Sequence, residues 1–406
     1  MALVVQKYGG SSIATADRIK NVARRAAATK ERGNMVVAVV SAMGDTTDDL
    51  IALARQVTDE PDEREMDLLL HTGEIVSCTL LSMALRKLGL QAVSLTGAQA
   101  GIRTDGVFSK ARIMNINPER LTKELQEDKI VIVAGFQGIT SDMDITTLGR
   151  GGSDTTAVAL ASALGAQVCE IYTDVDGVFT ADPRICPKAR KLEDVSYEEM
   201  LELAQHGARV MHSRAVELGE FYGMPILVAS SFNDKPGTLI HGGELVENRR
   251  KVRGIAHDSD VAKITVMGVP DQPGIAAAIF EPLSDAHVSV DTIVQNASVD
   301  GTTDLSFTVS RGDLIKAMRL VEPVTKQIVA RGCVFAEDLG KVSIVGSGMQ
   351  NTPGYASKMF RALSDTGVNI EMITTSEIRI TCIIEAAKVE DAVRTLHDAF
   401  QLETAE

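Results

Sequence analysis

PGIAAAIFEPLSDAHVSVDTI, residues 273–293, is answered further along the chain by PGYASKMFRALSDTGVNIEMI, residues 353–373. Phe280 aligns with Phe360, Leu283-Ser284-Asp285 with Leu363-Ser364-Asp365, Val288 with Val368, and Ile293 with Ile373. An internal repeat of this kind marks one supersecondary unit used twice. An apolar strand precedes each copy, at 264–267 and 342–345. The Pro-Gly turn then opens a helix, and a second strand follows. A third strand (305–309; 378–384) and another helix (313–330; 389–400) complete the pattern. That order is a ferredoxin-like βαββαβ unit. The first copy closes with a strand at 333–336. The second ends at Gln401-Leu402-Glu403, too short for a strand, and chain accounting assigns its closing strand to 252–256, ahead of the first copy.

Upstream the pattern changes. Continuous apolar runs at 3–6, 35–40, 92–95, 130–134, 168–172 and 226–229 alternate with helical stretches such as 17–28, 74–88, 156–164 and 197–205. Unbroken apolar strands separated by helices predict an α/β domain with a mostly parallel sheet covered on both faces. Asn233-Asp234-Lys235-Pro236-Gly237, His241-Gly242-Gly243 and the polar run 247–251 read as turns and a surface connection, which puts a domain boundary there.

The bulk composition narrows the function. A chain of 406 residues is long enough for two or three domains. With 45% hydrophobic and 24% charged residues it has ordinary globular composition, and with 4% aromatics and no Trp its cores are built from Ala, Val, Ile, Leu and Met. A net charge of -14 offers no nucleic-acid footprint, and Arg24-Arg25 and Arg249-Arg250-Lys251 are too short to supply one. Any anion site is therefore built from local groups. The 5 Cys form no CxxC pair, which argues against a disulfide framework or structural zinc. The N-terminus lacks the regions of a signal peptide and no apolar run reaches membrane-spanning length, so a cytoplasmic protein without membrane contact is expected.

Four stretches carry the chemistry. Lys7-Tyr8-Gly9-Gly10-Ser11-Ser12 ends the first strand; two glycines admit a close ligand, free N–H groups suit phosphate, and the lysine is a countercharge. A plain strand-to-helix turn explains it equally well. Ser41 to Asp48 follows the second buried strand, where open α/β sheets bind ligands, although Thr and Asp there also read as helix caps. TTLGRGGSDTTA, residues 146–157, sets glycines, hydroxyls and Arg150 before an Ala-rich helix, an arrangement suited to a carboxylate or phosphate. It is not a dinucleotide fingerprint, because Asp154 occupies the third glycine position. No GxxxxGK[ST] loop and no protein-kinase motif set occurs. Finally, YTDVDGVFTADPR, residues 172–184, starts at a strand end and gathers polar groups; turn chemistry accounts for its Asp-Gly and Asp-Pro pairs.

KYGGSS, TTLGRGGSDTTA and YTDVDGVFTADPR, in that order, resemble the aspartate kinases, and the repeats resemble the ACT domains that these enzymes carry. The resemblance spans essentially the whole chain. It implies an amino-acid-kinase fold (an αβα sandwich with a mostly parallel sheet) over residues 1–245, a first ACT domain with its linker over 246–338 and a second over 339–406. It implies transfer of the γ-phosphoryl of ATP to the β-carboxylate of L-aspartate, the first step of lysine, threonine and methionine biosynthesis. Lys7, Gly9 and Gly10 then hold the ATP phosphates; Ser41, Thr47 and Glu74 contact aspartate; Arg150 and Ser153 take a substrate carboxylate, with Asp154 beside them. Thr173, Asp174, Asp182 and Arg184 line the nucleotide site. Arg209 stands where the family often has Lys, and an Arg keeps the charge without the point-like ammonium.

The nucleophile is a carboxylate, already ionised at pH 7, so no general base is needed. Catalysis is positioning and charge neutralisation by Lys7, Arg150 and Mg²⁺, with Mg²⁺ held mainly by ATP oxygens and no dedicated protein metal site. The resemblance also implies amino-acid effector sites between ACT domains: Asp271, Gly274, Ala276, Gln295, Asn369 and Ile370 for one, and Asp291, Thr292, Asn351, Thr352 and Gly354 for another. Lysine and threonine are the expected effectors, and pairing of ACT domains between chains implies a homo-oligomer. Two rival readings are another amino-acid kinase of this fold and a non-catalytic amino-acid sensor.

Overall fold

The computed structural model describes residues 1–208, 210–242, 251–296, 301–349 and 352–404. The chain forms two compact units. One comprises Met1–Phe179, Lys191–Gln205 and Arg209–Glu247; the other comprises Thr180–Arg190, His206–Ala208 and Asn248–Glu406.

The first unit is built on an eight-stranded sheet in the order Asp194–Ser196, Thr238–His241, Ile226–Ser230, Val168–Thr173, Leu3–Tyr8, Met35–Val40, Ile130–Ala134, Ala92–Leu95. All neighbours are parallel except Ile226–Ser230 with Thr238–His241. The strands Met35–Val40 and Ile130–Ala134 are buried almost throughout, as the unbroken apolar runs require. The strand Leu3–Tyr8 lies mid-sheet with Val168–Thr173 on one side and Met35–Val40 on the other. Chain order reverses at that point, which opens a crevice at the carboxyl ends of these three strands. A buried polar network pins the central strand to its neighbour. Gln6 Nε2 donates to Thr29 Oγ1 and Glu170 Oε2, the Tyr8 hydroxyl donates to Gln6 Oε1, and the Tyr8 and Tyr172 rings stack at 5.1 Å.

The helix Glu63–Lys87 starts well before the expected residue 74, because Asp62 caps it by accepting from the N–H groups of Arg64 and Glu65. It is long and apolar enough to cross a membrane by length and composition. Cys78, Leu81 and Leu85 nonetheless pack into the core beneath the sheet. The sequence reading missed a second, four-stranded sheet (Ile102–Thr104, Ile113–Ile116, Gln137–Ile139, Ile145–Thr147). Its strands are only three or four residues long and give no legible alternation.

The second unit is one six-stranded sheet in the order Ile293–Gln295, Thr302–Val309, Gly254–Pro270, Gly332–Val345, Arg379–Glu385, Met372–Thr375. Two long central strands serve both repeats. Gly254–Pro270 pairs Gly254 with Val345 at one end and Met267 with Gly332 at the other. Its first residues therefore supply the closing strand of the second repeat, beginning two positions after the expected 252. The helices Ile275–Asp285 and Leu314–Gln327 cover the first repeat's core, and Tyr355–Asp365 and Val389–Ala399 cover the second's. Gly274 and Gly354 cap the first helix of each repeat at φ 94° and 108°, which makes the repeated Pro-Gly turn a backbone requirement.

Candidate active site

The crevice is assembled from strand ends. Lys7 reaches up from the central strand, and its Nζ lies 2.6 Å from Asp154 Oδ1 in an ion pair whose side chains are only 12% and 10% exposed. Asp154 is in the first turn of the helix Gly152–Leu164, which begins at Gly151 (φ 70°) with no side-chain cap. Gly152 N–H donates to Gly149 O, which leaves the amides of Ser153 and Asp154 for a ligand or solvent. A Cβ on Gly151 would lie 2.2–2.5 Å from the His212 side chain, so that position requires glycine on two counts.

Gly9 donates its N–H to Tyr172 O, and Gly10 O accepts from Gly44 N, tying the first loop to the two flanking ones. A Cβ on Gly10 would meet Ala42 O at 2.9 Å. Ser41 is half-buried; its N–H donates to Tyr8 O, and its carbonyl accepts from Ser77 Oγ at 2.6 Å. Thr47 lies in the first turn of the helix Thr46–Val57.

Glu74 is 3% exposed. Its Oε1 accepts from Ala42 N–H at 3.1 Å, and Oε2 is buried with no hydrogen-bond partner. Burial pushes the carboxyl up to about 8, opposed by backbone N–H donors. A cation placed against it would favour the ionised form. Arg150 is exposed and has no ion-pair partner among the described residues, and Ser153 is buried beside Gly135. On the far side of the crevice Thr173 Oγ1 donates to Asp174 Oδ1 at 3.0 Å. Asp182 and Arg184 pair with each other at 2.7 Å, in the segment that belongs to the second unit. Arg209 lies outside the described residues.

Amino acid kinase family sequences match residues 2–230, and ACT domain sequences match 264–323 and 342–400. The aspartokinase of Mycolicibacterium smegmatis is 51% identical over 99% of this chain and 97% of its own length. This chain belongs to the aspartokinase family. The aspartokinase of Corynebacterium glutamicum is likewise 51% identical over 99% of this chain. Among solved structures, E. coli aspartokinase III in complex with aspartate and ADP superposes with a TM-score of 0.84 at 25% identity, covering 98% of this chain and 99% of that one. Aspartate kinase from Synechocystis is 43% identical with a TM-score of 0.56, covering 100% of this chain and 70% of that one.

The aspartokinase crevice also uses residues that the sequence reading passed over. Asp67 is fully buried in the helix Glu63–Lys87 and accepts from Ser109 N–H, Thr147 N–H and the Thr147 hydroxyl. Arg214 donates to Leu148 O at 2.6 Å and Ala111 O at 3.0 Å. Together they hold Thr147 and Leu148, in the backbone that leads into Arg150. A lone Asp in Glu65-Met66-Asp67-Leu68 and a lone Arg in a helix give no sequence signal. His212 packs against Gly151, and burial lowers its pKa, opposed by the Asp154 carboxylate.

In the ACT repeats, Asp271, Gly274, Ala276, Gln295 and Asn369 are exposed. Asp291 is engaged by Lys341 Nζ at 2.9 Å, and Thr292 N–H donates to Thr308 Oγ1. Thr352 Oγ1 donates to Gly348 O, and Asn351 lies outside the described residues. Gln295 ends one edge strand of the sheet, whereas Asn369 and Ile370 precede the strand at the opposite edge.

Proposed function

We propose that this crevice transfers the γ-phosphoryl of ATP to the β-carboxylate of L-aspartate, with the roles divided as follows. Lys7 and the Gly10 amide hold the phosphates, with Gly9 leaving room for their close approach; Thr173 and Asp174 contact the nucleotide. Glu74 receives the substrate ammonium on its free Oε2, with Ser41 and Thr47 alongside. Arg150 and Ser153 take the α-carboxylate at the open helix N-terminus, directing the β-carboxylate at the phosphoryl group. The observation that carries this reading is the Lys7–Asp154 pair at the topological switch point; the buried Glu74 carboxyl, with one oxygen lacking a hydrogen-bond partner, supports the ammonium site.

Two anions have to meet, so charge neutralisation and placement are the catalytic task. A Mg²⁺ ion bound with the nucleotide would supply neutralisation of triphosphate charge. Asp154 is the crevice carboxylate that could hold it, but it is already paired with Lys7, so triphosphate and water oxygens would be the ion's main ligands.

The ACT repeats bind amino-acid effectors. Lysine is supported by the E. coli aspartokinase III structure with lysine and aspartate, and threonine by the duplication of the Pro-Gly turn. Because Gln295 and Asn369 belong to opposite edges of one chain's sheet, a second copy completes the site in a homo-oligomer. The test is ATP-dependent hydroxylamine trapping with L-aspartate and L-glutamate, with and without lysine and threonine. The reading expects hydroxamate from aspartate only, suppressed by the two effectors; product from glutamate would move the chain to another amino-acid kinase activity, and no product would favour a sensor.

A further inference from the structure

The run 172–184 leaves the first unit at Phe179 and enters the second at Thr180. Thr180 is 1% exposed, and each of its polar groups is engaged. Its N–H donates to Arg190 O and its carbonyl accepts from Ile255 N–H, both at 2.8 Å. Its Oγ1 accepts from Arg190 N–H at 2.9 Å and lies 3.0 Å from His397 Nε2. His397 is fully buried on the last helix of the second repeat, Val389–Ala399.

The same helix grips the following residues. Ala181 and Cys186 share a core with Val393 and Leu396, Arg394 donates to Ile185 O at 3.2 Å, and Lys188 pairs with Asp398 at 3.0 Å. The last two contacts are at the surface and are weak by general experience. The His397–Thr180 bond is a buried polar tie, and its loss leaves a ring nitrogen without that partner in an apolar core.

We propose that His397 is a positioning residue for the nucleotide run: from the C-terminal helix it fixes Thr180, and through the unbroken chain it sets the conformation of Thr173–Phe179. The proposal rests on the reading of Thr173 and Asp174 as nucleotide contacts. A residue that only fills the core would act on overall stability; a residue that holds this loop acts selectively on ATP.

The experiment measures KM for ATP, KM for aspartate and kcat in the full-length enzyme for His397→Leu, His397→Gln, Thr180→Val and the double variant His397→Leu/Thr180→Val, with melting curves for each. Loss of one net hydrogen bond corresponds to roughly a three- to tenfold effect. His397→Leu and Thr180→Val are each expected to raise KM for ATP by about that factor with KM for aspartate unchanged. The double variant should be no worse than Thr180→Val, which already removes the His397 bond together with the Arg190 N–H bond to Oγ1. His397→Gln, which keeps a donor and an acceptor, should restore most of the loss. If His397→Leu lowers the melting temperature but leaves KM for ATP unchanged, or if the two substitutions add, the proposal is overturned. Asp174→Asn separates the two failures. If it also leaves KM for ATP unchanged, the nucleotide reading itself is wrong; if it raises KM and His397→Leu does not, only the positioning role falls.

Discussion

Replacing Glu74 by Gln tests the crevice through pH. The carboxyl has a folded-state pKa of about 8 against an ordinary value of 4.5, because it is buried. Between those values the folded protein holds a proton on Glu74 that the unfolded chain has released. Stability contributed by the protonated group is therefore complete below pH 4.5 and is lost as pH rises through about 8. The full difference is worth about 5 kcal/mol as an upper limit, at 1.36 kcal/mol per pKa unit. One kilocalorie per mole moves the melting temperature of a domain this size by about 2–4 °C, so the alkaline fall attributable to Glu74 is at most roughly 10–20 °C. Glu74→Gln removes the titration, and its melting temperature should change less steeply than the wild type's from pH 5 to 8.5. Aspartate should flatten the wild-type curve, because its ammonium pairs with the ionised form. The same variant loses a charged hydrogen bond to substrate, worth about 1.5–3 kcal/mol, so KM for aspartate should rise roughly ten- to a hundredfold with a smaller change in KM for ATP. Parallel melting profiles for the two proteins, together with an unchanged KM for aspartate, would refute the assignment.

Other consequences follow from single contacts. Gly151→Ala combines a strained φ of 70° with a clash against His212 and should cost about 2 kcal/mol or more of stability, read by urea denaturation, along with most activity. Asp67→Ala leaves the Thr147 N–H and hydroxyl without their acceptor and should destabilise by about 3 kcal/mol while raising KM for aspartate, since the Thr146–Gly149 backbone carries Arg150; equal KM values would show that Arg150 is held by other means. Tyr8→Phe removes the donor to Gln6 within the buried network and should cost about 1 kcal/mol without altering either KM, because the hydroxyl lies beneath the crevice floor.

Much of this architecture is legible in the residues themselves. The runs 35–40, 92–95 and 130–134 are strands at those bounds, because continuous β-branched and aliphatic sequence between helices has few other stable placements. The repeat of Pro273-Gly274 at Pro353-Gly354 exposes the ACT topology, and counting its strands locates the exchanged one near residue 254. The four-stranded sheet was not legible, since three-residue strands carry too little periodicity. The departure of Thr180–Arg190 from the kinase unit was hidden for another reason. Nothing local to Ala181-Asp182-Pro183-Arg184 reports that Leu396 and His397, more than two hundred residues later, form its packing partners. Site residues followed the same division: glycine-rich strings announce themselves, whereas Asp67 and Arg214 act through backbone contacts that only the folded chain displays.

The central claim is that Lys7, paired with Asp154 at the sheet's switch point, neutralises charge as phosphoryl passes to aspartate. Phosphorus NMR of wild-type enzyme and Lys7→Ala, each with ATP, Mg²⁺ and L-aspartate, measures that step directly. The account predicts an acyl-phosphate resonance growing with the wild type and a kcat at least about a hundredfold lower for the variant, as for loss of a preorganised charge stabiliser, with KM for aspartate within a few-fold. Acyl phosphate formed by Lys7→Ala at the wild-type rate would contradict it.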